Sequence, residues 1–105
     1  MNNIYYSPED HGLKVMWQIE KEPEYDFDMT IVWKRISDGA LFWASDSGCS
    51  CPSPFEDYSG IGDLTPLTQA TFGELESHVR GHWSFGAADK VEFLSKIRRA
   101  LSRRS

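Results

Sequence analysis

Tyr25-Asp26-Phe27-Asp28-Met29-Thr30-Ile31-Val32-Trp33-Lys34 is the clearest periodic run in the chain. Tyr25, Phe27, Met29, Ile31 and Trp33 recur at every second position, with Asp26, Asp28, Thr30, Val32 and Lys34 between them. A repeat of two is the signature of a strand, because successive side chains point to opposite faces. Asp is disfavoured in strands, so Asp26 and Asp28 are expected on a solvent-facing side.

The flanking sequence extends this into a sheet. Upstream, Leu13, Val15, Trp17 and Ile19 are expected on one face and Lys14, Met16, Gln18 and Glu20 on the other. Lys21-Glu22-Pro23-Glu24 breaks that run, since Pro cannot donate to a ladder. Downstream, Ser37-Asp38-Gly39 signals a tight turn. The next run, Ala40 to Ser45, is apolar on both faces. It is expected to meet helices on one side and the following loop on the other. Three consecutive strands with short connections form an antiparallel meander.

The loop is Gly48-Cys49-Ser50-Cys51-Pro52-Ser53-Pro54-Phe55-Glu56-Asp57-Tyr58-Ser59-Gly60. It is expected to be ordered and folded back over the sheet. Pro52 and Pro54 reduce the entropy lost on ordering. Phe55 and Tyr58, joined by Trp43, are expected to anchor it on apolar sheet surface. Ile61 to Gln69 gives no clear period beyond one short helical turn. Thr71-Phe72-Gly73-Glu74 has the form of a capping box, opening a helix over 71–81 with Phe72, Leu75 and Val79 inward. Gly81 is its expected stop. A second helix is expected over 87–101, with Ala87, Val91, Leu94, Ile97 and Leu101 as its apolar stripe. Arg98 falls within that arc, so either its stem snorkels along the core edge or the helix runs beyond the body.

These elements make one α+β domain over 1–105. It comprises a lead-in at 1–12, a three-stranded meander over 13–46, the Cys-Pro loop at 47–60, two helices on one sheet face and a basic tail at 102–105. A chain of 105 residues with fourteen aromatics supports one modest core. The net charge of −5 disfavours general nucleic-acid binding. Charge is uneven: residues 1–63 hold twelve acids and four bases, and residues 90–105 hold six bases and one acid. No apolar run reaches membrane-spanning length, and the N-terminus has no signal-peptide pattern. Two cysteines one residue apart make no disulfide framework, so a soluble protein of a reducing compartment is expected.

Four groups could carry chemistry. Cys49, Cys51, His78 and His82 are a donor set that zinc favours, with His11 a weaker addition. Against this, Cys-x-Cys is tighter than usual ligand spacing, and Gly81 can end the helix before His82. Reactive-thiol chemistry needs an activating neighbour, and neither cysteine directly precedes a helix start. The acidic cluster Glu20, Glu22, Glu24, Asp26 and Asp28 is either a solvated edge or an anionic face for a basic partner. The basic end from Lys96 to Arg104 suits a helix C-terminus, or it touches nucleic acid. The bland reading of that end is preferred. Phosphate-binding loops and nucleophile-elbow motifs do not occur.

The segment from Trp43 to Asp57, with its Gly-Cys-Ser-Cys-Pro-x-Pro-Phe-Glu core, resembles an uncharacterised family of small actinobacteriophage proteins, a domain of unknown function. The similarity extends upstream through Val32-Trp33-Lys34-Arg35 and more loosely to the helix around Leu75. The resemblance implies a phage accessory protein acting in the host cytoplasm, and it supplies no activity, ligand or catalytic residue. The expected function is non-enzymatic binding of a host or phage protein. Cys49, Cys51, Pro52, Pro54, Phe55, Glu56 and Tyr58 are the candidate contact residues, and no cofactor, nucleic acid or membrane is expected on this reading. The alternative is a small zinc-binding module that contacts nucleic acid through its basic end.

Overall fold

The computed structural model describes residues 4–21, 26–49, 55, 58 and 60–103. Four strands, β1 (Leu13–Glu20), β2 (Asp26–Arg35), β3 (Leu41–Cys49) and β4 (Thr65–Leu67), form one antiparallel sheet in the order β1-β2-β3-β4. Two helices follow, α1 (Phe72–Arg80) and α2 (Ala87–Arg103). Short 3-10 turns at Pro8–His11 and Ile61–Asp63 complete the elements.

The expected α+β architecture is present, with four strands rather than three. The extra strand comes from the aperiodic 61–69 stretch, where Leu67 pairs with Leu41 and Thr65 with Trp43. Pro66 reads as punctuation in the sequence, yet an edge strand tolerates it because its missing N–H can face outward. Strand β3 also runs further than expected, into the Cys-Pro stretch as far as Cys49.

The sheet is buried on both faces. On one side Ile19, Val32, Leu41 and Leu67 pack against the helix residues Phe72, Leu75, Val79, Phe93 and Ile97. On the other, Leu13, Met29, Ile31 and Trp33 pack against Ile4, Phe55 and Leu64. Strand β3 serves both cores as its apolar faces require, Leu41 on the helix side and Phe42 and Ala44 on the loop side.

Two face assignments change. Val15 pairs with Trp33, but Trp17 pairs with Val32, so Met16 is an extra residue. Such a bulge inverts the side-chain alternation of the strand beyond it. Leu13 and Val15 therefore face the loop side, while Met16, Trp17 and Ile19 face the helices. The Asp28 face of β2 is not the wet one. Thr30 and Val32 on it are fully buried, and the Asp28 side chain is only 17 % exposed, because the helices cover this side.

Local expectations were corrected in three further places, and one of the two alternatives for Arg98 is found. Trp43 sits on the helix side beside His78, ring centroids 5.4 Å apart, rather than with Phe55 and Tyr58. Thr71 makes no side-chain cap on α1. Its hydroxyl accepts from Thr68 N–H at 2.8 Å and donates to the Pro66 carbonyl at 3.1 Å, tying β4 to the helix start. On α2 the buried residues are Phe93, Leu94, Ile97 and Leu101, while Val91 is 62 % exposed. The helix is rotated so that the large Phe93 ring fills the core and Val91 does not. Arg98 snorkels: its guanidinium lies 5.2 Å from the Phe72 ring centroid and pairs with Glu76 at 2.9 Å.

Candidate docking site at the connector between the helices

The C-terminal end of α1 meets the sheet through polar side chains. Gly81 remains near helical geometry, and the His82 N–H bonds the Val79 carbonyl at 3.1 Å, so the helical path continues just past Arg80. That keeps His78 and His82 together as their four-residue spacing predicts, ring centroids 5.1 Å apart. His78 Nε2 lies 2.6 Å from Ser45 Oγ, whose hydroxyl is also hydrogen-bonded to that of Thr30. His82 Nε2 lies 2.6 Å from Asp28 Oδ2, and Ser84 Oγ donates to the same oxygen at 2.7 Å. The carboxylate accepts, so His82 carries its proton on Nε2. Burial pushes His78 below the usual histidine value, helped by the neighbouring charge of His82 and opposed by Asp28.

These contacts fasten the end of α1 to the sheet. Ser45 and His78 have the separation of a nucleophile and its base, but the carboxylate orients His82 instead of His78. Ser45 is further tied to Thr30 within the helix–sheet interface. Among the described residues, no three His, Cys, Asp or Glu side chains are arranged to hold a metal ion. The Nε2 atoms of both histidines already have partners, in Ser45 and Asp28.

The fastening fixes the connector 81–86. His82 stacks on the buried Phe85, centroids 4.5 Å apart and rings 16° from parallel. The residues on either side of Trp83 thus both end on Asp28. Trp83 itself is 88 % exposed, more than any other large apolar side chain among the described residues. A large aromatic on an immobilised backbone loses little conformational freedom on binding.

Of the loop residues expected to make contacts, Phe55 is fully buried and is therefore a packing residue. It takes φ 60°, a conformation bulky side chains rarely adopt. Its N–H donates to Asp46 Oδ2 at 2.7 Å, and its ring packs edge-on to Trp33 at 5.2 Å and Tyr58 at 5.0 Å. Tyr58 donates its hydroxyl to the Ser45 carbonyl at 3.2 Å. The expected anchoring of the loop on the sheet is found at these two residues. Cys51, Pro52, Pro54 and Glu56 lie outside the described residues, as does the side chain of Cys49. Ser45 and Trp83 were not singled out by sequence reasoning, and Asp28 entered only as a member of the acidic cluster. The one available signal was Trp83, a large aromatic in a short connector outside any apolar period.

A wide groove of about 700 Å³ lies between β3, β4 and the end of α2, lined by Leu41, Phe42, Leu67 and Leu101. Its polar groups are committed internally: Arg35 to Asp38 at 2.9 and 2.6 Å, and Gln69 to the Leu101 carbonyl at 3.0 Å. Among the described residues, no helix is long and apolar enough to cross a membrane. Neither the curated proteins nor the solved structures contain a match to this chain. A family model does match, across residues 2–105, and the chain accordingly belongs to DUF7574, a domain of unknown function.

Proposed function

We propose that this domain is a non-enzymatic interaction module that docks a partner protein through the connector 81–86, with Trp83 as the anchor. The observation that carries this reading is an 88 % exposed Trp on a backbone fastened at both neighbours. Exposed Trp residues held in place are favoured as centres of binding energy. The resemblance to small phage-encoded proteins suggests the partner's source: a host or phage protein in the host cytoplasm.

The test is quantitative capture of partner by the purified domain. Trp83→Ala should reduce capture at least tenfold while leaving the melting temperature within a degree or two, since the side chain packs little. Undiminished capture by the Trp83→Ala protein overturns the role of the connector.

A further inference from the structure

The two edges of the sheet are built differently. In β4 the only residue whose backbone can face outward between the paired positions Thr65 and Leu67 is Pro66, which has no N–H. Its carbonyl already accepts from Thr71 Oγ1 at 3.1 Å. That edge is closed to another strand. Strand β1 is the opposite edge. The Lys21 N–H bonds the Asp28 carbonyl at 3.0 Å, which sets the phase of the ladder beyond the bulge. Trp17 and Ile19 then point their backbone groups at β2, and Gln18 and Glu20 point theirs outward. No backbone partner for these outward groups occurs among the described residues.

A cleft of about 330 Å³ runs beside this same stretch. Trp17, Ile19 and Phe93 contribute apolar surface, and Glu20, Asp89 and Glu92 line it, with Lys96 as the one cation among the described lining residues. Lys96 is paired with Glu92 at 2.9 Å in an exposed ion pair, an interaction that a competing cation displaces at little cost. The excess of carboxylates disfavours a second copy of this edge, which would bring like charges together. It favours a cationic strand instead, whose Lys or Arg stems can lie on Trp17 and Phe93 while their heads reach Asp89 and Glu92.

We infer that β1 from Trp17 to Glu20, with the cleft under α2, is a strand-addition site for an extended, Lys- or Arg-bearing peptide segment of a partner protein. Backbone hydrogen bonds at Gln18 and Glu20 supply the pairing, and the carboxylates supply the choice of charge. This deepens the interaction-module reading and rests on it, but it uses a different surface from Trp83.

The probe is a capped decapeptide of alternating Lys and Val, compared with one of alternating Glu and Val. Saturating Lys-Val peptide should slow amide exchange at Gln18 and Glu20 at least tenfold. Asp89→Lys with Glu92→Lys should weaken binding at least tenfold, and both sites are exposed, so the variant should melt as the wild type does. If that variant fails to fold, 0.5 M salt serves as the second measurement and should weaken binding to the wild type by a similar factor. Equal binding of the Glu-Val peptide, or no added protection at Gln18 and Glu20, overturns the inference. So does concentration-dependent protection of these amides without peptide, which would mean that a second copy fills the edge. Partner capture that depends on Trp83 while the edge stays silent would remove this inference alone. Edge protection without Trp83-dependent capture would remove only the anchor.

Discussion

Asp28 Oδ2 lies 2.6 Å from His82 Nε2 and 2.7 Å from Ser84 Oγ, so one strand carboxylate holds both neighbours of an exposed tryptophan. A partly buried hydrogen bond with a charged acceptor contributes about 1.5–3 kcal/mol. Asp28→Ala should therefore lower stability by about 2 kcal/mol, read as a lower denaturation midpoint at unchanged slope. Asp28→Asn, which keeps an acceptor, should lose less. A loss below about 0.5 kcal/mol for Asp28→Ala would mean that the connector is held by something else.

His78 links stability to pH. Its folded-state pKa is held below the usual 6.5, chiefly by burial and then by the charge of His82. The unfolded chain therefore binds the proton more readily than the native one, and stability rises with pH through this window. The contribution is complete above the unfolded value and is lost as pH falls through 6.5 toward the lower folded value. His78→Gln should flatten the stability profile as pH falls through 6.5 relative to wild type. An unchanged slope in the variant would show that other groups carry the dependence.

Phe55 predicts the cost of releasing the Cys-Pro loop. It is fully buried between Trp33 and Tyr58. Phe55→Ala should cost about 3–5 kcal/mol, the range for buried aromatic truncation. A change smaller than about 1 kcal/mol would show that the loop does not seal that face of the sheet.

The bulge at Met16 makes a sharper claim. Deleting Met16 makes Val15 and Trp17 neighbours, which preserves their pairing with Trp33 and Val32 and leaves Trp17 and Ile19 on the helix side. The deleted protein should therefore still unfold cooperatively, losing only the packing of Met16, whereas inserting one residue between Gln18 and Ile19 should turn Ile19 away from the helices and cost far more. Loss of cooperative unfolding on deletion of Met16 would show that the bulge does more than set the register.

Metal dependence separates the two readings of the histidines. Both Nε2 atoms are occupied, by Ser45 and by Asp28. A chelator should leave the melting temperature unchanged, and equimolar zinc should not raise it. Stabilisation by zinc that disappears in Cys49→Ala or His82→Ala would establish the metal centre instead.

The sequence by itself determined the elements that local rules control. The alternation of Tyr25–Trp33, the tight turn at Ser37-Asp38-Gly39 and the helical spacing of Phe72, Leu75 and Val79 each specify their structure, because periodicity and turn chemistry act over a few residues. The two-faced burial of β3 was legible for the same reason, since both of its faces are apolar. Tertiary structure alone decided which face each residue of β1 occupies, because a single inserted residue at Met16 reverses every position after it and leaves no mark on composition. It also decided the role of Asp28. A carboxylate in a strand looks solvated until a helix end brings His82 and Ser84 to it, and only three-dimensional proximity supplies partners that burial requires. The same holds for Trp83, whose exposure follows from neighbours drawn inward to Asp28 and not from anything local to its own position.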